Sequence, residues 1–365
     1  MLWRLLSRMN RDRYDPIVFA LRSTTDQILE LFDAIRVPYQ LLGMTPDAKA
    51  VSGLFRLARK LNEAKPDVVQ GWLYHGNVAA TISTFISRRR VPVLWSIRGA
   101  PIPDEKRLSR AIVRLCSMFA FSAKKIIYNS SVSAAEHEQH LGYRSDRRLI
   151  IPNGFDTDLF VPSEPARAQM RQALALPADV VLVGLIARYH RVKDHDTFLG
   201  AAALVSADHP EARFVLIGEN IDLANDELCG LIERHRMTHR VHLLGMRDDM
   251  PQVTAALDIC VSASTVEGFP NVVGEAMSCG VPCVVTDVGE SALLVGDTGK
   301  NVPARDARAL ADAIAGLVTT PRTERAALGQ RARERIIRDF SLAHIVSQYE
   351  NLYSEIHSDA RAGKA

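Results

Sequence analysis

The chain has 365 residues, 47% of them apolar and 24% charged, which fits two globular domains with cores of their own and excludes collagen-like, disulfide-rich and disordered classes. Its longest apolar run, residues 180–187, is far short of the roughly 20 residues a membrane-spanning helix needs. Five cysteines without a C-x-x-C pair argue against structural zinc and point to a reducing, cytoplasmic compartment.

The net charge of +3 hides an asymmetry. Residues 1–158 hold 24 Lys+Arg against 15 Asp+Glu, and the remainder 21 against 27. The basic half is densest at Arg88-Arg89-Arg90 and at Arg144, Arg147 and Arg148. It suits a solvated face or an anionic membrane surface, and its lack of interleaved aromatics speaks against nucleic acid.

The first predicted element is an amphipathic helix over residues 1–13, with Leu2, Leu5, Leu6 and Met9 alternating with Arg4, Arg8 and Arg11; it is expected to pack on its own domain. The arginines interrupt any signal-peptide core. Short apolar runs at 16–21, 68–72, 91–97 and 125–129 read as buried parallel strands between helices. Residues 151–156, IPNGFD, break regular structure and place a hinge, and a helix is expected over 165–174. The strand pattern restarts at 180–187 and continues at 213–218, 241–244, 259–262 and 282–286, a second α/β unit. A last helical pattern covers 340–356.

Two segments carry chemistry. In SASTVEGFPNVVGEAMSCG, residues 262–280, Glu267 and Glu275 flank a Gly-Phe-Pro-Asn turn, and Asn271 opens the helix that carries Glu275. The amides at the start of that helix suit a phosphate or a sugar oxygen, and the carboxylates beside them can accept hydroxyl hydrogen bonds. In GLIARYHRVKDHDTF, residues 184–198, a strand delivers Arg188 into a loop and Lys193 follows five residues later. Two cations at one strand end suit a diphosphate that gains charge as a bond to it breaks. His190 and His195 have a spacing compatible with a metal but no third ligand, and solvent exposure is expected for them. G-x-G-x-x-G, the P-loop and G-x-S-x-G are all absent, which disfavours dehydrogenase, P-loop NTPase and serine-hydrolase readings.

In order along the chain, Asn153-Gly154-Phe155-Asp156, 184–193, 214–218, 242–245, EGFPNVVGEAM-x-CG-x-P and Asp287-Val288-Gly289 resemble the retaining nucleotide-sugar glycosyltransferases of family four. The resemblance covers nearly the whole chain. It implies an α/β GT-B fold of two Rossmann-like domains facing a cleft: an acceptor-side domain at 1–157, a donor domain at 158–340, and a helix with tail at 341–365 that returns to the first domain. It implies a nucleotide-diphosphate sugar as donor substrate, no cofactor and no bound metal. Arg188 and Lys193 would hold the diphosphate, Glu267 the transferred sugar and Glu275 the ribose. Phe269, Pro270, Asn271 and Val272 would help through their backbone, and the base would lie near Gly245, Met246 and Arg247. His75 and Arg98 are acceptor-side candidates, each expected at a strand end.

The acceptor implied is a saccharide or lipid-linked molecule of surface polysaccharide or lipopolysaccharide biosynthesis, handled by a cytoplasmic enzyme peripheral to the inner membrane. Three departures stand out. Many relatives have a histidine at the position of Arg98 and a second glycine in place of Glu290. Relatives also begin with a strand and a Gly-rich turn that would precede Met1, so a misassigned start or a fragment is expected, with a longer chain better folded. The competing readings are a nucleotide-sugar epimerase of similar fold and a non-catalytic nucleotide-sugar-binding partner.

Overall fold

The computed structural model describes residues 1–22, 25–45, 48–89, 91–99 and 107–362; Arg90 of the arginine triplet lies outside them. The chain forms two compact units, Met1–Gly154 with Leu342–Ala365, and Phe155–Ser341. The passage between them falls in the expected IPNGFD break, three residues before 157/158, and the return falls at 341/342.

Unit 1 runs α1 (Leu2–Arg8), β1 (Val18–Ala20), α2 (Asp26–Ala34), β2 (Tyr39–Leu41), α3 (Ala48–Ala64), β3 (Val69–Trp72), α4 (Leu73–Ile86), β4 (Val93–Ile97), α5 (Arg107–Phe119), β5 (Lys125–Tyr128), α6 (Ser131–Leu141) and β6 (Arg148–Ile150). Strands β3 to β6 form a parallel sheet in chain order, and β1 pairs in parallel with β2. Helix α1 is shorter than the expected 1–13, because Met9 turns to extended backbone. Its Leu5 and Leu6 are buried in one cluster with Ile345, Tyr349 and Leu352 of the terminal helix.

Unit 2 runs α7 (Glu164–Ala173), β7 (Val181–Ile186), α8 (His195–Asp208), β8 (Ala212–Ile217), α9 (Asp226–Arg234), β9 (Val241–Leu243), α10 (Met250–Ala255), β10 (Ile259–Ser262), α11 (Asn271–Ser278), β11 (Cys283–Thr286), α12 (Ser291–Val295), β12 (Lys300–Val302), α13 (Ala307–Thr319) and α14 (Arg322–Phe340). The chain then re-enters unit 1 as α15 (Leu342–Ala362). The unit 2 sheet is wholly parallel, in the order β12-β11-β10-β7-β8-β9. Val, Ile and Leu dominate its strands because helices cover both faces, and one apolar cluster fills each face.

Behind the sheet, the Asp258 carboxylate collects three buried arginines. Arg167 lies at 3.0 Å, Arg325 at 3.8 Å, and Arg171 donates a short hydrogen bond. The Leu182 amide donates to the same carboxylate at 2.8 Å, fixing the start of β7. Among the described residues no helix is long and apolar enough to cross a membrane.

Candidate active site

The strand order of unit 2 reverses between β7 and β10: β8 and β9 build outward on one side, β11 and β12 on the other. In open α/β sheets the carboxyl ends of the two strands flanking such a reversal leave a crevice where ligands bind. Both chemistry-bearing segments begin there, Arg188 and Lys193 beyond β7 and Glu267 beyond β10.

After β7 the backbone leaves the sheet at Ala187, whose amide donates to the Ile217 carbonyl. Gly218 permits the close approach: a Cβ there would sit 2.3 Å from the Ala187 oxygen and 2.8 Å from the Arg188 nitrogen. Arg188 is exposed. Residues Arg191–Lys193 form a 3-10 turn, and Asp194, with φ 51°, caps α8 by accepting from the Thr197 amide. The loop is a cluster of positive charge. Burial, then Arg188, Arg191 and Lys193, lower the His190 pKa.

His195 departs from expectation. It is 3% exposed, and its ring packs 5.1 Å from that of Tyr189. Burial and the Lys193 charge push its pKa down to about 4. It is a neutral packing residue, because α8 begins at His195 and turns the ring inward.

The two loops meet. Lys193 Nζ donates to Glu267 Oε1 at 2.5 Å, and Ser264 Oγ donates to the same oxygen at 2.8 Å. The Thr265 amide donates to the Val192 carbonyl at 2.8 Å, joining the backbones. A third loop supports them from below. Thr286 Oγ1 donates to the Ser264 carbonyl at 2.6 Å, and the Glu290 amide to the Gly268 carbonyl at 3.0 Å. Gly289, with φ +57°, passes so close that a Cβ would lie 2.4 Å from the Glu267 oxygen. Glu290 itself is buried. Ser264, Thr265 and Thr286 were not anticipated as positioning residues; the hydroxyls just before Glu267 were the available signal.

Asn271 is the first residue of α11, after Pro270, and Glu275 follows one turn later, half-buried. The Phe269 ring is buried between Phe155 and Phe340, at centroid distances of 6.0 and 5.7 Å. Phe269 can therefore serve a ligand only through its backbone. Gly274 lies under Phe155, where a Cβ would come within 2.0 Å of the ring. At the end of β9, the Gly245 amide donates to Ile221 and its carbonyl accepts from Gly218. Met246 is 77% exposed, and Arg247 is held by Asp249 through two hydrogen bonds of 2.8 and 2.6 Å.

Two candidates in unit 1 differ from expectation. His75 does not end a strand: β3 stops at Trp72, Leu73 turns with φ 60°, and His75 is exposed in the first turn of α4. Arg98 is already engaged. It donates to Asn153 Oδ1 at 3.2 Å and, by a short bond, to the Tyr349 hydroxyl, and it lies 4.8 Å over the Trp72 ring. Burial lowers its pKa to about 10.

The family described as Glycosyltransferase Family 4 matches residues 1–159, and the one described as Glycosyl transferases group 1 matches residues 178–320. The chain belongs to the family-four glycosyltransferases. Its GT-B fold, of two Rossmann-like domains, is shared with Alr3699/HepE of Anabaena, solved in complex with UDP: the TM-score is 0.82 at 25% identity, over 97% of this chain and 95% of that one. An N-acetyl-alpha-D-glucosaminyl L-malate synthase of Bacillus anthracis is 32% identical over 184 residues, 49% of this chain. This chain spans 46% of that relative's length and 36% of a Bacillus subtilis relative's. The UDP-Gal:alpha-D-GlcNAc-diphosphoundecaprenol alpha-1,3-galactosyltransferase of Escherichia coli is 23% identical over 325 residues, 86% of this chain and 81% of that one.

Proposed function

We propose that this family-four chain is a retaining, metal-independent glycosyltransferase that moves a sugar from a nucleotide diphosphate to a saccharide or lipid-linked acceptor. The observation that carries the proposal is the Lys193–Glu267 contact of 2.5 Å at the switch point of the sheet. It puts a cation for a diphosphate and a carboxylate for a sugar side by side. Glu267 Oε1 already accepts from Lys193 and Ser264, which leaves Oε2 to take a sugar hydroxyl. Arg188 and Lys193, with the amides that open α11, stabilise the charge that grows on the departing diphosphate. Glu275 accepts from the ribose hydroxyls, and the base lies near Gly245, Met246 and Arg247.

In the reaction, the bond from the anomeric carbon to the diphosphate oxygen breaks as the bond to the acceptor oxygen forms on the same face. The acceptor's proton passes to the departing phosphate oxygen, so no protein nucleophile is required. HepE's complexes with UDP and with UDP and glucose support a uridine donor. The galactosyltransferase's diphosphoundecaprenol acceptor supports a lipid-linked one and a role in surface polysaccharide synthesis. The basic first half supports a cytoplasmic enzyme peripheral to an anionic membrane. His75 remains an acceptor-side candidate; Arg98 is better read as a positioning residue for α15.

Thermal melts with UDP, GDP and ADP test the donor site, because a ligand that binds only the folded state raises its apparent stability. A selective shift that Glu275→Ala removes is expected, and anomeric NMR of the product then tests retention. No shift with any nucleotide would overturn the proposal.

A further inference from the structure

We infer that Leu73 is a specificity-determining residue for the acceptor, laying its apolar side chain against the C–H face of the acceptor's sugar ring. This rests on the saccharide-acceptor part of the reading above and deepens it by naming the residue and the part of the ring it meets. Strand β3 ends at Trp72 and α4 begins at Leu73, with no loop between them. The junction lies at the carboxyl edge of the unit 1 sheet, the edge at which open α/β sheets bind ligands.

The backbone at this junction is strained. Leu73 has φ 60°, a left-handed conformation that glycine adopts freely and leucine does not. Arg36, Lys65, Arg88, Ala175 and Arg236 share that conformation, but each follows the end of a helix, where a left-handed residue is an ordinary stop. Leu73 instead enters one. Asp194, which enters α8 with φ 51°, does the same in the loop that carries Lys193. Among the described residues Leu73 is the one large apolar side chain at positive φ. Burial does not compensate the strain, because Leu73 is 56% exposed.

The surroundings hold the junction in place. Gly71 packs so close to α4 that a Cβ would come within 2.5 Å of the Asn77 Cα. Asn77, fully buried, accepts from the Ser96 amide at 3.2 Å and donates to the Ser96 carbonyl at 3.4 Å, which ties α4 to β4. Trp72 stacks on Tyr349 at a centroid distance of 6.4 Å and lies under Arg98. Tyr74 turns inward, and its hydroxyl shares a hydrogen bond of 2.8 Å with His137 Nε2. With its neighbours pinned on both sides, the junction presents Leu73 and the exposed His75. Strain over-determined in this way clusters at ligand-binding positions. An apolar side chain with an imidazole two residues on matches a sugar ring, which has an apolar C–H face and a rim of hydroxyls; a phosphate would call for a cation in place of the leucine.

The full chain, loaded with the nucleotide selected by the melt, is titrated with methyl glycosides of glucose, galactose and N-acetylglucosamine, and saturation-transfer NMR reads their ring C–H protons. At least one glycoside should receive saturation on those protons. Leu73→Gly should weaken its binding about tenfold, and the volume-conserving Leu73→Met should retain it. Because glycine is at ease at this φ, Leu73→Gly should melt no lower than the wild type and should keep its nucleotide-dependent shift. Undiminished glycoside binding by Leu73→Gly would overturn the inference. A lower melt of that variant without nucleotide would also overturn it, by making Leu73 a packing residue. A wild type that nucleotide stabilises but that binds no glycoside would refute the ring contact and leave the donor site standing, whereas a wild type that responds to neither would bring down the transfer reading as well.

Discussion

Gly289→Ala is a test of whether Glu267 is held by its neighbours or merely lies near them. The added Cβ would meet the Glu267 carbonyl oxygen at 2.4 Å and the Gly268 oxygen at 2.7 Å, and ordinary contact begins at 3.4 Å. The Glu267 backbone must therefore move by about 1 Å. An alanine at φ +57° adds roughly 1–2 kcal/mol of local strain, which a domain with two full apolar clusters tolerates. A displacement of that size at a reacting centre lowers turnover about a hundredfold. The assay is nucleotide release from the donor selected by the melt, with kcat and KM determined separately. Because Glu275 lies on α11 and not on the displaced loop, the loss should fall on kcat, with nucleotide-dependent stabilisation retained. A folded Gly289→Ala protein with wild-type kcat would refute the reasoning, for it would show that the position of Glu267 does not matter to the reaction.

Arg188→Ala and Lys193→Met should each lower kcat about 10²–10³-fold, as does loss of one preorganised charge-stabilising donor elsewhere; a change in KM alone would assign them to uniform binding. Asp258→Asn should destabilise unit 2 by about 3–5 kcal/mol, since Arg167, Arg171 and Arg325 are left buried without their counter-charge; a urea melt in which the variant matches the wild type would contradict this. His195 is held neutral with its pKa near 4 against an ordinary 6.5. Between those values the unfolded chain binds a proton that the folded chain does not, so stability should be full above pH 6.5 and fall by about 3 kcal/mol as pH drops to 4. Urea midpoints across that window, with His195→Phe expected to flatten this component, check the sign; an unaltered slope would remove His195 as the cause.

Much of unit 2 was legible because its signals are local. The strands that feed Arg188 and Glu267 are continuous apolar runs, and the spacing from Glu267 to Glu275 bridges one turn and the first turn of a helix. The reversal of strand order that brings the two segments together is not visible in any run of residues; it entered only through the resemblance. Long-range partners were illegible for the same reason. Arg98 read as a ligand-facing cation because it ends a strand, but the Tyr349 hydroxyl that engages it is 251 residues away. His195 reads as exposed for want of a third metal ligand beside it and His190, whereas α8 turns its ring onto Tyr189.

The site is assembled by close approaches of backbone more than by pairs of side chains. Gly218 lets β8 press on the Arg188 loop, Gly289 lets the loop after β11 press on Glu267, and Gly274 lets α11 settle beneath Phe155. At each, a single methyl group would push a different part of the site: the Arg188 loop, Glu267, or the helix that carries Glu275. Residues far apart in the sequence are thus constrained together through backbone contact. The loop after β11 shows why Glu290 is compatible with the fold where the resemblance leads one to expect glycine: its amide supplies the hydrogen bond to Gly268, which any residue except proline can make. The close contact itself is made one residue earlier, at Gly289, where no other residue fits without moving Glu267.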